Sequence, residues 1–120
     1  MLVDDDAEDR EIFSEIVGSF VMDIKLLMFD DGEAFLNKLS RTNVLYPDLI
    51  FIDLQMPKIS GLHLLKELKE NNKLKNIPII IYTSSECPKA ERKAYELGAE
   101  KFVQKPSDVS GWNKILNDTF

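Results

Sequence analysis

The chain has almost none of the residues that staple a fold or ligate soft metals. In 120 positions there is one cysteine, Cys87, and one histidine, His63. No internal disulfide can form, and a structural zinc site built from Cys and His ligands is excluded. No apolar run approaches the length of a membrane span. The N-terminal Met1–Val3 gives way at once to acid, which is not the pattern of a signal peptide. Basic residues are also in deficit: 15 Lys and Arg face 21 Asp and Glu, a net charge of −6. Direct nucleic-acid binding is therefore not expected, because phosphate backbones select basic surfaces. A cytoplasmic globular protein is the expectation, with 44% hydrophobic and 30% charged residues. The length suits one domain with a core of its own.

No repeat, low-complexity segment or linker interrupts the chain. Short apolar runs alternate with amphipathic stretches. Met1–Val3 is apolar. Ile12, Phe13, Ile16, Val17 and Phe20 recur at helical spacing, which predicts a helix over 7–20 with Asp6 as N-cap and acid in its first turn. Residues 24–29 read as a strand, and Asp30-Asp31-Gly32 turns into a helix carrying Phe35, Leu36 and Leu39. Leu49–Ile52 is a wholly apolar run that ends at Asp53. A helix follows over 60–70, then a β-branched run over 77–82 with Pro78 near its start, where proline is tolerated. Ala90, Ala94 and Leu97 outline a helix that Gly98 terminates. Lys101–Val103 reads as a short strand, and Val109, Trp112, Ile115 and Leu116 mark the last helix. The result is (βα) five times over. Strands apolar throughout are buried on both faces, so a three-layer α/β sandwich with parallel crossovers follows. In such sheets the functional site lies at the carboxyl ends of the strands.

The residues at those ends carry chemistry. Asp4, Asp5 and Asp6 follow the first strand, Asp53 the third, Thr83 and Ser84 the fourth, and Lys105 with Pro106 the fifth. Asp4, Asp5 and Asp53 crowded together repel when ionised, and a hard divalent cation relieves that repulsion. Magnesium takes oxygen ligands and keeps waters that phosphate oxygens can replace. A carboxylate is a competent nucleophile towards phosphorus. Lys105 and the Thr83 hydroxyl can pair with the oxygens of a transferred group.

Four pieces, Val3-Asp4-Asp5-Asp6, Asp53-Leu54-Gln55-Met56-Pro57 with Gly61, Tyr82-Thr83-Ser84, and Lys105-Pro106, stand in order at spacings that resemble the receiver (CheY-like) domains of two-component response regulators. The resemblance runs over essentially the whole chain. It implies a doubly wound, flavodoxin-like fold with strand order 2-1-3-4-5, and a single receiver domain over 1–120 with no output domain in this chain. It further implies that Asp53 is the phosphoacceptor, and that Asp5, Asp53 and the Gln55 backbone carbonyl ligate Mg²⁺, with Asp4 acting largely through a bound water. Thr83 is implied as the switch hydroxyl, Phe102 as the aromatic that follows it, and Lys105 as the phosphate-contacting lysine. The Lys105–Pro106 bond is expected to be cis.

The phosphoryl group would come from a histidine kinase or phosphotransfer protein docking near the first helix and the strand-end loops. The surface of the fourth helix, fifth strand and fifth helix would then change its preference for a downstream protein. A homodimer on phosphorylation is a further implication of the family. The domain would be no enzyme in the ordinary sense, its phosphorylation and dephosphorylation being self-catalysed. Three departures stand out: only three residues precede Asp4, Ser84 stands where alanine is common, and Ser107 stands where an aromatic often follows Lys-Pro. Gln55 and Ser85 occupy the two positions at which the family tunes dephosphorylation.

Blander readings compete at single positions. The acidic run 4–9 reads equally as a solvated helix start, Phe102 as plain core, Cys87 as a small helix-start residue, and His63 as an exposed helix residue; Trp112 reads as an anchor of the last helix. Two other functions compete with this one. A haloacid-dehalogenase-type phosphatase needs a second aspartate two residues after its nucleophile, and that position is Gln55. A phosphorylation-independent pseudo-receiver, binding partners only, is disfavoured by the complete set of Asp4, Asp5, Asp53, Thr83 and Lys105.

Overall fold

The computed structural model describes residues 1–19, 24–40, 46–56, 58–106 and 108–119. Phe20, Pro57 and Ser107 lie outside the described residues. Ten elements alternate along the chain: β1 (Leu2–Val3), α1 (Ala7–Gly18), β2 (Met28–Phe29), α2 (Gly32–Leu39), β3 (Ile50–Asp53), α3 (Gly61–Glu70), β4 (Ile79–Thr83), α4 (Pro88–Glu96), β5 (Lys101–Gln104) and α5 (Val109–Thr119). The five strands form one sheet in the order β2-β1-β3-β4-β5, and every pairing is parallel.

Two-residue periodicity divides the apolar strand residues between two cores. Val3, Ile50, Ile52, Ile79 and Ile81 point to one face, where Phe35 and Leu39 of α2, Leu64, Leu65 and Leu68 of α3 and Ala94 of α4 cover them. Leu2, Phe51, Ile80 and Tyr82 point to the other, against Phe13, Ile16 and Val17 of α1 and Trp112 and Leu116 of α5. Three layers result, as the wholly apolar strands require. Trp112 does anchor α5. It stands edge-on to Phe13 at 5.9 Å and to Tyr82 at 5.7 Å between ring centres.

Local chemistry sets the helix ends. The Asp6 carboxylate accepts from the backbone N–H groups of Glu8 and Asp9 at 2.9 and 3.3 Å. Asp31 caps α2 through Ala34 at 2.8 Å, and Ser60 caps α3 through His63 at 3.2 Å. Gly98, at φ +103°, lets the chain leave α4 with its N–H on the Tyr95 carbonyl.

Two expectations are corrected. The second strand spans only Met28–Phe29 rather than 24–29. It lies at the sheet edge with β1 as its one partner, and β1 offers two residues for pairing, Leu2 to Met28 and Val3 to Phe29. The Lys105–Pro106 bond is trans, there being no cis peptide bond among the described residues. Trans is the lower-energy isomer before proline by about 0.5–1 kcal/mol.

Candidate functional site

Parallel register brings the chemistry-bearing residues to one edge. Val3 pairs with Ile52, so Asp4 and Asp53 leave adjacent strands side by side. Asp53 pairs with Tyr82, and Thr83 with Gln104, which puts Lys105 one step past the end of β5. Two backbone hydrogen bonds clamp these ends, Leu54 N–H to the Tyr82 carbonyl at 2.8 Å and Lys105 N–H to the Thr83 carbonyl at 2.6 Å. The three innermost residues are buried: Asp4 is 0%, Thr83 1% and Asp53 4% exposed.

Lys105 is the hub. Its Nζ lies 3.4 Å from Asp4 Oδ2, 3.4 Å from Asp53 Oδ2 and 2.8 Å from Asp9 Oδ2. It also sits 4.8 Å from the centre of the Tyr82 ring. Burial alone would lower the pKa of this ammonium. The hydrogen bond to Asp9 and the charges of Asp4 and Asp53 outweigh burial and hold it above its usual value. Asp53 shows the opposite balance. Burial, then the Asp4 carboxylate beside it, push its pKa up to about 7, although Lys105 pulls the other way.

One lysine therefore does not satisfy the acid gathered here. Asp4, Asp5 and Asp53 each present a carboxylate oxygen within 4.8 Å of the others. All-oxygen donors, two buried and one exposed, with an unrelieved charge excess, fit a hard divalent cation.

The structure unites Asp4, Asp5, Asp53 and Lys105 as expected. The Gln55 N–H donates to Asp53 Oδ1 at 3.3 Å, which fixes the turn after β3. The Thr83 hydroxyl oxygen accepts from the Ser85 N–H at 3.4 Å. Phe102 is half-buried against the α2–α3–α4 core, and its N–H donates to the Tyr95 hydroxyl of α4 at 3.0 Å. His63 is exposed on α3, and Cys87 precedes α4 without capping it through its side chain.

Two residues given no role from sequence belong to the site. The Tyr82 hydroxyl donates to Asp4 Oδ2, and Asp9 makes the shortest contact to Lys105. A tyrosine inside an isoleucine run is the signal that was there to use, since a buried phenol needs a hydrogen-bond partner. Burial, then Asp4, hold the Tyr82 hydroxyl protonated well above the ordinary phenol range, so it remains a donor. Tyr82→Phe leaves a buried carboxylate oxygen short of a partner and is expected to cost about 2 kcal/mol. Urea unfolding in EDTA at pH 7 measures this; wild-type stability would mean that Asp4 has another donor.

A doubly wound sheet with three carboxylates gathered at its carboxyl edge defines a class, and likeness to known proteins defines the family. The response regulator receiver domain family matches residues 1–117, and the chain belongs to it. It is a receiver of two-component signalling. The chain is 38% identical over 114 residues to the two-component response regulator ORR11 of Oryza sativa, a match covering 92% of this chain and 74% of that protein. It is 29% identical to the response regulator Rcp1 of Synechocystis, over 97% of this chain and 82% of that one. Among solved structures, the Mn(2+)-bound form of Rcp1 superposes with a TM-score of 0.89 at 29% identity, covering 98% of this chain and 87% of that one. The phosphorylated cyanobacterial phytochrome response regulator RcpA superposes with a TM-score of 0.91 at 25% identity, with the same coverage. The phosphatase alternative places its nucleophile after the first strand, whereas Asp53 closes β3.

Proposed function

We infer that this domain accepts a phosphoryl group on Asp53 and switches its interaction surface in response. The observation that carries the reading is the setting of Asp53: a buried carboxylate with Asp4 beside it and the Lys105 ammonium 3.4 Å away. The similarity to a manganese-bound and to a phosphorylated response regulator supports it. In the transfer, the bond from phosphorus to the donor histidine nitrogen breaks as a bond to an Asp53 oxygen forms. Asp4, Asp5, Asp53 and the Gln55 carbonyl are the residues that would hold Mg²⁺, which neutralises charge on the transferred group when bound. Lys105 pairs with a phosphoryl oxygen, and the Thr83 hydroxyl turns to donate to another. Phe102 has room to move with Thr83 because it is only half-buried.

Residues 1–120 work as one receiver domain in the cytoplasm, and phosphorylation and its reversal are self-catalysed. A histidine kinase or phosphotransfer protein docks near α1 and the strand-end loops. The α4–β5–α5 surface then selects a downstream protein or a second copy of the domain, as a shift between two existing states. Incubation with acetyl phosphate and Mg²⁺, read by intact mass, tests the reading. One phosphoryl adduct is expected on the wild type, none on Asp53→Asn and none in EDTA. An adduct on Asp53→Asn would displace the acceptor to another residue. Failure of the wild type to form either this adduct or a beryllofluoride complex would leave a pseudo-receiver.

A further inference from the structure

We propose that Asp9 is the resting counterion of Lys105 and competes with the phosphoryl group for it, so that Asp9 sets how tightly the phosphorylated state is held. The proposal rests on the reading of Asp53 as acceptor. The three contacts of Lys105 are unequal. Of the three carboxylates around Lys105 Nζ, only Asp9, at 2.8 Å, accepts a hydrogen bond from it, while Asp4 and Asp53 at 3.4 Å are looser ion pairs. The contact is shielded, with the Lys105 side chain 10% and the Asp9 side chain 23% exposed, so water screens it weakly.

The backbone of Asp9 is held in place independently of Lys105. It stands in the first turn of α1, where its own N–H donates to the Asp6 cap and the helix dipole favours its charge. The Asp9 backbone is thus anchored on the α1 side, and the carboxylate it carries has Lys105 as its partner. A phosphoryl group on Asp53 brings about −1.5 to −2 of charge and three acceptor oxygens. The ammonium has three N–H donors, and in this proposal its move towards the phosphoryl oxygens stretches the one bonded to Asp9. The phosphorylated state is therefore held less tightly than Lys105 alone would hold it. Asp9 here is a positioning residue: it acts through Lys105 and does not touch the reacting atoms.

The test uses beryllofluoride as the phosphoryl probe at saturating Mg²⁺, with bound probe read by fluorine NMR. Asp9→Asn is expected to tighten binding about fivefold, the equivalent of one modest ion pair. In a Lys105→Met background the same substitution is expected to change binding by less than about twofold, because the competition has lost its object. Asp9→Glu, which keeps the charge, should stay near the wild type. Asp9→Ser serves in place of Asp9→Asn if circular dichroism shows that variant unfolded. Unchanged or weaker binding by Asp9→Asn overturns the proposal. An equal gain in the Lys105→Met background also overturns it, since that is a general charge effect. If the wild type binds no beryllofluoride, the reading of Asp53 fails and the Asp9 proposal falls with it; if only the Asp9 variants fail to respond, the Asp53 reading stands and Asp9 is structural.

Discussion

In metal-free buffer at pH 8, Asp53→Asn is expected to stabilise the domain by roughly 3 kcal/mol. The cause is the raised pKa of Asp53, about 7 in the folded protein against 3.8 for an ordinary aspartate. Between those two values the native state keeps a proton that the unfolded chain has released. Stability contributed by the protonated carboxyl is therefore fully present below pH 3.8 and is lost as pH rises to about 7. Above that, the wild type carries the whole penalty of a buried charge beside Asp4. Asparagine never ionises, and its amide oxygen can still accept from the Gln55 N–H. The advantage of the variant should shrink to nothing near pH 4 and reach its plateau near pH 8. Saturating Mg²⁺ should shrink it too, because a cation favours the ionised wild-type carboxylate. Urea unfolding across that pH range in EDTA, then with Mg²⁺, measures all three trends. A constant difference between variant and wild type at every pH would mean that Asp53 does not titrate in this window.

The same pressure explains which parts of this protein were legible in its sequence. The strands at the centre of the sheet were legible because both faces are buried, and Ile50–Ile52 and Ile79–Ile81 are accordingly apolar without a break. The α1 cap was legible because Asp6 acts on N–H groups two and three residues away. Asp4, Asp53, Thr83 and Lys105 were legible because parallel register carries any strand-end residue to the same edge. The length of β2 was not, since it depends on how much of β1 is available to pair. Tyr82 and Asp9 were missed for a related reason. Tyr82 contributes to a strand run and to the α1–α5 core, and only its hydroxyl crosses to Asp4, 78 residues away in sequence. Asp9 doubles as a helix-start acid and as the partner of Lys105, 96 residues on. Sequence displays the local role of each and hides the distant one.

Gly61→Ala is expected to destabilise the domain by about 3 kcal/mol and, on the proposed role of Asp53, to slow its phosphorylation by tenfold or more. Glycine is needed at this position for space, not for conformational freedom. A Cβ on Gly61 would lie 2.4 Å from the Asp53 carbonyl oxygen and 2.8 Å from the Leu54 Cα, both backbone atoms that no rotamer can move. The first turn of α3 rests directly on the end of β3, with the Gly61 N–H bonded to the Leu54 carbonyl at 2.9 Å. A methyl group has to lift the helix, stretch that bond and shift the backbone that carries Asp53. Gly98 provides the contrast. It sits at φ +103°, and a Cβ there would meet only the Lys69 side chain, at 3.4 Å or more. Gly98→Ala should cost about 1 kcal/mol in backbone strain and leave phosphorylation alone, because Gly98 lies before the start of β5, at the sheet edge opposite Asp53. Paired urea unfolding and acetyl phosphate time courses on the two variants separate a general loss of stability from displacement of the acceptor. If Gly61→Ala loses stability but phosphorylates at the wild-type rate, the strand end holds Asp53 without help from α3.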